Sequence, residues 1–284
     1  MAFSGRAANS TGVFLDTPDD LSDLVALASP REFPFLDLVG DALVASVRSV
    51  HRWPDDNIST SRGRNVNHMQ LFTERVVLSA EDRMFGAKGI RSGLVHQLRK
   101  TLREALRSLE GCLLRAGDSE APNGQATASR EMRGLLSFLT SVPSNELSKE
   151  RLDIVLKRAR RNGPTDLDVI ACDVVAERWL QHLKPRSRTV REHGKVRGRR
   201  AIGVFEDSFG EYEIVPVPRF PRAHAAIISR QHITIIPRQG NSFHYEPSIV
   251  GERGGEAGAV AGEYTLEVRH GTSMISFEVP RRIT

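Results

Sequence analysis

The chain has 284 residues, of which 39% are hydrophobic and 26% are charged, and its formal net charge is +5. This composition excludes an intrinsically disordered chain, and the apolar runs are too short for a membrane span. The N-terminus lacks a signal-peptide pattern, and the two cysteines lie in core-like patterns that do not indicate a disulfide framework. We therefore expect synthesis in a reducing cytoplasm without membrane contact.

The first 40 residues predict an extended arm that contains one short helix. The stretch REFPFLDLVGD places large apolar side chains next to proline and glycine rather than in a periodic pattern. Phe33 and Phe35 have few apolar neighbours in the sequence. We therefore expect these two side chains to anchor the arm by packing against another element or another subunit.

The next part of the chain predicts two strands joined as a hairpin. Residues 43–53 and 68–79 contain polar residues interspersed with apolar ones, and the polar stretch PDDNISTSRGRN lies between them. A polar connection between two such runs is typical of a hairpin.

The clearest helix is predicted from about Gly89 to Ala116. Apolar residues recur there at steps of three or four, namely Ile90, Leu94, Leu98, Leu102, Ala105, Leu109 and Leu113. A helix of this length extends about 40 Å at 1.5 Å per residue. Because it has a single apolar stripe, we expect it to lie across a sheet.

A mixed block of helices and strands follows. The stretch LSKERLDIVLKRARRNGP predicts a helix whose buried stripe includes Leu152, Leu156 and Ala159. LDVIACDVVAERWLQHL then predicts a buried strand that leads into a helix capped by Asp173. Two more strands are predicted in EYEIVPVPRF and AAIISRQHITIIP.

Between that helix and those strands lies a strongly basic segment. It contains eight basic residues and one acidic residue: Lys184, Arg186, Arg188, Arg191, Lys195, Arg197, Arg199 and Arg200, with Glu192. We expect a loop here. It is either simply solvated, or it faces phosphates or the acidic residues of a neighbouring subunit. Since no aromatic residue occurs in the segment, base stacking on single strands is disfavoured.

The chain closes on the stretch VAGEYTLEVRHGTSMISFEV. Polar and apolar residues alternate on both sides of an Arg-His-Gly-Thr step, a pattern that predicts a hairpin with Tyr264, Leu266 and Val268 on one face. We expect that face to pack under the long helix. We expect the glycine-rich stretch from Gly251 to Gly262 to be a flexible linker.

No residue pattern indicates catalysis. Cys172 precedes a predicted helix N-terminus, where a thiolate would be stabilised, but no histidine has the spacing of a catalytic partner. The histidines also lack the spacing of metal ligands, and the glycine-rich stretch lacks the phosphate-loop pattern. We therefore predict that the chain is not an enzyme and has no catalytic, cofactor or metal site.

Several stretches, in this order, resemble one family. After REFPFLDLVGD come HRWPDD, TERVVLSAEDRMFGAKGI, REMRGLLSFL, DSFGEYEIVPVPRF, AAIISRQHITIIP and VAGEYTLEVRHGTSMISFEV. Over nearly the whole chain this set is similar to tailed-phage major capsid proteins of the Hong Kong 97-type superfamily. The resemblance implies an α+β fold in five parts: an N-terminal arm (1–40), an extended loop hairpin (41–80), a peripheral domain with a spine helix (81–135), an axial domain (136–236) and returning peripheral strands (237–284).

The resemblance also implies a function. A capsid protein of this kind would self-assemble into hexamers and pentamers of an icosahedral head around double-stranded DNA, with portal and scaffolding proteins as further partners, and would reside in the virion. The family usually has a larger insertion in the extended loop, whereas only residues 54–67 fill it here. A nanocompartment shell that encloses protein cargo and a basic nucleic-acid-binding protein are the alternatives.

Overall fold

A computed structural model describes most of the chain. It covers residues 32–39, 45–54, 64–78, 93–115, 117, 130–142, 166–182, 186–191, 199–207, 210–248 and 256–280, with six further residues between 151 and 161. The helices described from end to end are α1 (Pro34–Val39), α2 (Gly93–Leu114) and α3 (Val174–His182), and the described residues between 151 and 161 are also helical. Together with the strands they form a mixed α+β fold, which confirms the predicted fold class.

The strands of the described residues form three sheets. An antiparallel hairpin contains β1 (Val50–Pro54) and β2 (Arg64–His68). A four-stranded sheet contains β3 (Gln70–Leu78), β10 (Ile233–Pro237), β11 (His244–Ser248) and β12 (Glu256–Val268). A seven-stranded sheet has the order β4 (Thr140–Val142), β13 (Ile275–Glu278), β9 (His224–Ile228), β5 (Val169–Cys172), β8 (Gly210–Pro216), β7 (Arg199–Asp207) and β6 (Arg186–Arg191).

Strand β12 is the centre of the four-stranded sheet. Its residues 256–264 pair with β3 along one edge, while β11 and β10 follow one another along the other edge. Helix α2 packs across β3 and β12. The long helix therefore lies on a sheet, as predicted, but β3 rather than β13 is the second strand beneath it.

The apolar stripe of α2 is confirmed over its described length. The buried residues include the predicted Leu98, Leu102, Ala105, Leu109 and Leu113. Leu94 is partly buried against the same core. Ile90 lies outside the described residues. The stripe thus forms one continuous apolar face of α2, and the four-stranded sheet covers it.

The predicted closing hairpin is wrong. Its two arms are strands, but β12 belongs to the four-stranded sheet and β13 to the seven-stranded sheet. Between them His270 adopts a left-handed backbone conformation with φ of 52°, and a short 3-10 turn covers Gly271–Ser273. Alternation in a sequence indicates a strand but does not identify its partner, so the pairing could not be read from the pattern.

A second connection between the two larger sheets lies beside the one between β12 and β13. The stretch AAIISRQHITIIP, predicted as one strand, is divided by a 3-10 turn at Arg230–His232, so that β9 and β10 also belong to different sheets. The Arg269 amide donates a hydrogen bond of 2.8 Å to the His232 carbonyl. The rings of His232 and His270 meet edge to face with centroids 4.8 Å apart. The two sheets are therefore joined by two adjacent connections.

The first hairpin also differs from the prediction. Strand β1 pairs with β2, which lies partly within the predicted connection, and β3 continues into the four-stranded sheet instead of pairing with β1. The hairpin is therefore a separate two-stranded element that leads directly into β3.

The linker interpretation of the glycine-rich stretch is wrong for residues 256–262. These residues belong to β12, where all of them pair with β3 and residues 257–261 also pair with β11. Packing explains the glycine at position 258, because a Cβ there would lie 2.5 Å from the Tyr245 ring. Glycine in this strand permits a close approach of an aromatic side chain rather than flexibility.

Two helix predictions in the mixed block are confirmed. The Asp173 carboxylate accepts a hydrogen bond of 2.8 Å from the Ala176 amide and so caps α3. The described residues between 151 and 161 are helical, and Leu152, Leu156 and Ala159 among them are buried.

Truncation of the α2 stripe should destabilise the protein. Leu98 and Leu102 are almost fully buried, so we expect Leu98→Ala or Leu102→Ala to lower the free energy of unfolding by about 2–5 kcal/mol. Urea denaturation of the unassembled chain measures this. The control is Ile154→Ala, because Ile154 is 60% exposed and its truncation should have little effect. Equal effects of the α2 variants and the control would contradict the packing described.

Candidate functional site: the arm junction and the hairpin base

The two predicted anchor residues of the arm lie at the N-terminal end of α1. Phe33 is 3% exposed and Phe35 is fully buried, and both belong to the main hydrophobic core of the same chain. Helix α1 packs beside β10 and the turn at Arg230–His232. The partner of these side chains is therefore the chain's own core. Their role as the anchor of an arm stays a prediction, since residues 1–31 lie outside the described part.

A buried carboxylate in the long helix holds this junction together. Glu110 of α2 is fully buried, and its Oε1 accepts a hydrogen bond of 3.0 Å from the Phe35 amide. Its Oε2 accepts a hydrogen bond of 2.7 Å from Nη1 of Arg219, in the connection between β8 and β9. A buried charge is costly unless it is paired, so this carboxylate stabilises the fold only with α1, α2 and the seven-stranded block in place together.

A more exposed contact supports the same junction. Glu32, just before α1, forms ion pairs with Arg103 and Arg107 on the solvent side of α2, the shorter of them at 2.8 Å. The Arg219 guanidinium also lies 5.7 Å from the centre of the Phe33 ring. Solvent screens exposed pairs of this kind, so the buried Glu110 dominates the junction energetically.

The importance of Glu110 was not predicted from the sequence. One signal was present, because Leu106, Leu109, Glu110 and Leu113 occupy the i, i+3, i+4 and i+7 positions of one helix face. A carboxylate at such a position indicates a buried charge that needs a partner. The partner itself, Arg219, is 109 residues away and could not be identified from spacing.

The base of the first hairpin is a second buried polar site. His51 of β1 contacts the Glu267 carboxylate of β12, which also accepts a hydrogen bond of 2.6 Å from Arg269. The Trp53 indole N–H donates a hydrogen bond of 3.0 Å to the Val268 carbonyl. Glu267 is only 6% exposed, so its contact with the hairpin is buried.

Asn67 ties the second strand of the hairpin to the same region. Its fully buried amide donates hydrogen bonds to the carbonyls of Leu266, at 2.9 Å, and Arg133, at 3.0 Å. Its carbonyl oxygen accepts a hydrogen bond of 2.7 Å from the Arg133 amide. The direction in which the hairpin leaves the sheet is therefore set by buried hydrogen bonds from both of its strands.

The electrostatics of the hairpin base favour an ionised Glu267. Burial alone would raise the pKa of this carboxyl group, but hydrogen bonds and charge from His51 and Arg269 outweigh burial and lower the pKa. The carboxylate is therefore stabilised at neutral pH by the side chains that hold the hairpin.

The basic segment is not a loop, so that prediction is wrong. Strands β6 and β7 form an antiparallel hairpin at one edge of the seven-stranded sheet. Arg186, Arg188 and Arg191 lie in β6, and Arg199 and Arg200 in β7, whereas Lys184, Lys195 and Arg197 lie outside the described residues. The predicted role of this segment in contacts with a subunit or DNA remains untested by the fold.

Cys172 is unsuited to nucleophilic chemistry. It is the last residue of β5 in the interior of the seven-stranded sheet, and it is fully buried. Burial strongly raises the pKa of its thiol, and nearby Glu177 and Asp173 raise it further. The helix that begins after it therefore does not produce a thiolate.

Among the described helices, none has the length and apolar character needed to cross a membrane.

Comparison with known proteins identifies a family. A family model described as "SU10 major capsid protein" matches residues 55–279. This range includes β2 and β3, helix α2, both larger sheets and the two connections between them. No curated protein matches the chain in sequence.

Solved structures with a similar fold include an encapsulin and two phage proteins. The chain resembles the SrpI encapsulin of Synechococcus elongatus PCC 7942 with a TM-score of 0.60 and 12% identity, over 97% of this chain and 94% of that one. It resembles the capsid of cyanophage A-1(L) with a TM-score of 0.57 and 9% identity, over 88% and 93%. For Mycobacterium phage Cain the values are 0.54 and 10%, over 98% and 99%.

Removal of the buried carboxylate should loosen the arm junction. We expect Glu110→Ala to lower the free energy of unfolding by about 3 kcal/mol, because Arg219 loses its partner and the Phe35 amide loses its acceptor. Glu110→Gln should cost less, since an acceptor remains. The matched control is Glu32→Gln, which removes a partly exposed carboxylate from the same junction and should cost about 0–1 kcal/mol. Urea denaturation with limited proteolysis around residues 32–39 measures both effects, and a Glu110→Ala variant as stable as the control would refute this account.

The hairpin base should weaken in acid. Because the pKa of Glu267 is lowered in the folded chain, its contribution to stability is present above the ordinary value of 4.5 and is lost as pH falls below it. We expect Glu267→Gln to be less stable than the wild type at about pH 7 and to differ from it less at about pH 3. Thermal melts at the two pH values measure this difference. A difference that is independent of pH would argue against the pairing.

Proposed function

Since the chain belongs to the SU10 major capsid protein family, we propose that it assembles into hexamers and pentamers of an icosahedral head that encloses double-stranded DNA. It is a major capsid protein of the phage type, a structural protein whose family builds shells by self-association. The match of the family model over residues 55–279 is the observation that carries the proposal.

The mechanism we propose is geometric. A shell subunit must hold its shape while many weak contacts are repeated by symmetry. Three features support such rigidity: the two connections between the sheets, the buried Glu110 at the arm junction and the hydrogen bonds at the hairpin base. Each of them fixes one part of the chain relative to another.

We assign the five parts of the family's subunit to this chain. In this proposal residues 1–40 are the arm, 41–80 the extended loop, 81–135 and 237–284 the peripheral domain, and 136–236 the axial domain. Helix α2 on the four-stranded sheet is then the spine helix. The β1–β2 hairpin is the base of an extended loop that is short compared with the family's usual one.

The basic segment is proposed to act in assembly or in genome contact. Arg186 and Arg188 of β6, and Arg199 and Arg200 of β7, lie at the edge of the seven-stranded sheet. In the proposed assembly this edge lies near the axis of a hexamer or pentamer. Either acidic residues of a neighbouring subunit or packaged DNA could balance its charge, and we favour the neighbour.

A nanocompartment shell is the second candidate. The similarity to the SrpI encapsulin supports it at the level of fold alone, with 12% identity. The family model favours the phage capsid. A portal protein, a scaffolding protein and a site of synthesis in a bacterial host's cytoplasm belong to the phage proposal, and the virion is the expected location.

Particle formation by the purified chain tests the proposal. We expect the full-length protein to elute as a large assembly in size-exclusion chromatography and to form closed particles of uniform size in negative-stain microscopy. Denatured and refolded protein serves as the control for reversible assembly. Folded protein that remains monomeric at every concentration and salt tested would overturn the shell proposal.

The contents of particles from the producing host then separate the two candidates. Double-stranded DNA that survives external nuclease treatment supports the phage head. Particles that contain a cargo protein and no protected DNA support the nanocompartment.

A further inference from the structure

One face of α2 carries exposed basic side chains. The apolar stripe of the helix packs on the four-stranded sheet, whereas a second set of residues recurs at steps of three or four on another side. These residues are His96, Arg99, Lys100, Arg103 and Arg107, and all of them are exposed. We call Arg99, Lys100, Arg103 and Arg107 the basic row. Residues at this spacing are neighbours on a helix surface, so four positive charges lie close together.

The described part of the chain balances the charge of the basic row only in part. Arg103 and Arg107 share the carboxylate of Glu32, and the side chains of these two arginines are still 54% and 48% exposed. Arg99 and Lys100 form no ion pair with any residue that the structure describes. At least two of the four basic side chains are therefore available to a partner outside this part of the chain.

The acidic residues of α2 do not cancel the row either. Glu110 is buried and paired with Arg219, so it does not contribute to the exposed face. Glu104 is half-buried and lies one turn after Lys100, but no ion pair joins the two among the described contacts. Four basic residues thus face two carboxylates, those of Glu32 and Glu104, which leaves a formal excess of two positive charges.

The chemistry of this face favours a polyanion over a protein surface. The core of a protein–protein interface is depleted of charged residues and enriched in aromatic side chains. Every exposed residue that the structure describes in α2 is polar or charged. A protein partner would therefore find no exposed apolar side chain of the helix to bury, whereas phosphate groups would neutralise the basic row.

The length of the row fits the backbone of a double helix. From Arg99 to Arg107 the helix rises about 12 Å at 1.5 Å per residue. Each strand of double-stranded DNA carries one negative charge per about 3.4 Å of axis, so this length faces about three or four phosphates of one strand. Three of the four residues in the row are arginines, and a guanidinium group binds phosphate oxygens through two parallel N–H donors.

We propose that the basic row of α2 binds the phosphates of the packaged double-stranded DNA. The inference rests on the proposed shell function, which supplies the DNA, and it names a surface of the subunit that contacts it. Contacts to phosphates carry no sequence information, so this binding is independent of DNA sequence. In the assembled particle, the exposed face of α2 then points to the interior.

Binding of the unassembled full-length chain to a short labelled DNA duplex tests this contact. Fluorescence anisotropy at several salt concentrations gives the association constant and the slope of its logarithm against the logarithm of salt concentration. The first variant carries Arg99→Gln and Lys100→Gln, which removes two charges without breaking an ion pair of the described chain. Each lost phosphate contact reduces the slope by about 0.9, so we expect a reduction of about 1.8 and a Kd at low salt that is at least about tenfold higher.

Two control variants show whether charge at this place causes the effect. Arg99→Lys with Lys100→Arg exchanges the two side chains but keeps both charges, so its slope should equal that of the wild type. Arg178→Gln with Arg222→Gln removes two exposed charges elsewhere and should also leave the slope unchanged.

The carboxylate of Glu32 provides a variant with the opposite effect. Because this carboxylate competes with phosphates for Arg103 and Arg107, Glu32→Gln should tighten DNA binding by about twofold to fivefold, the contribution of an exposed ion pair. A variant that misfolds cannot show such a gain, so this measurement separates an effect of charge from an effect of stability.

The outcomes separate the DNA contact from the shell function. An unchanged salt slope in the first variant, with the circular dichroism of the wild type, overturns the contact. Normal DNA binding together with a failure to form particles also overturns it and assigns the row to a neighbouring subunit. If the first variant does not fold, the Glu32→Gln variant decides, and no gain in affinity overturns the contact. A slope that changes as expected in a chain that forms no particles supports the DNA contact and overturns the shell function.

Discussion

The two adjacent connections between the sheets are the constraint on which the rest of the structure depends. Strand β9 continues into β10 and β12 into β13, and both pairs of strands pass from one sheet to the other at the same place. The amide of Arg269 donates to the carbonyl of His232 at this crossing. A single connection would act as a hinge, whereas two connections that contact each other fix the orientation of the two sheets. A shell subunit requires such a fixed shape, because an angular error would be repeated at every contact.

Buried polar groups extend this rigidity to parts of the chain that the sheets do not hold. Glu110 connects α1, α2 and the segment that contains Arg219, and Asn67 connects the first hairpin to β12. Each group loses its hydration in the fold, so each disfavours arrangements in which its partners are absent.

Local features were predictable from the sequence, and pairings were not. The stripe of α2 and the Asp173 cap follow from spacing and residue type within one element, and both are confirmed. The arms of the supposed closing hairpin are strands, yet the turn at Gly271–Ser273 directs them into separate sheets. The basic segment was expected to be a loop because of its charge, but strand pairing with β8 extends the sheet through it. At the candidate site, Arg219 is distant in sequence from Glu110 and His51 is distant from Glu267, so only tertiary structure brings these pairs together.

The central claim is that this chain is a rigid capsid subunit whose two larger sheets keep one orientation, because two adjacent connections join them. A cryo-EM reconstruction of particles assembled from the wild-type chain tests it most directly. The account predicts closed particles in which every subunit has the same angle between its four-stranded and seven-stranded sheets. Subunits whose two sheets adopt different relative angles, or a folded chain that forms no closed particle, would contradict it.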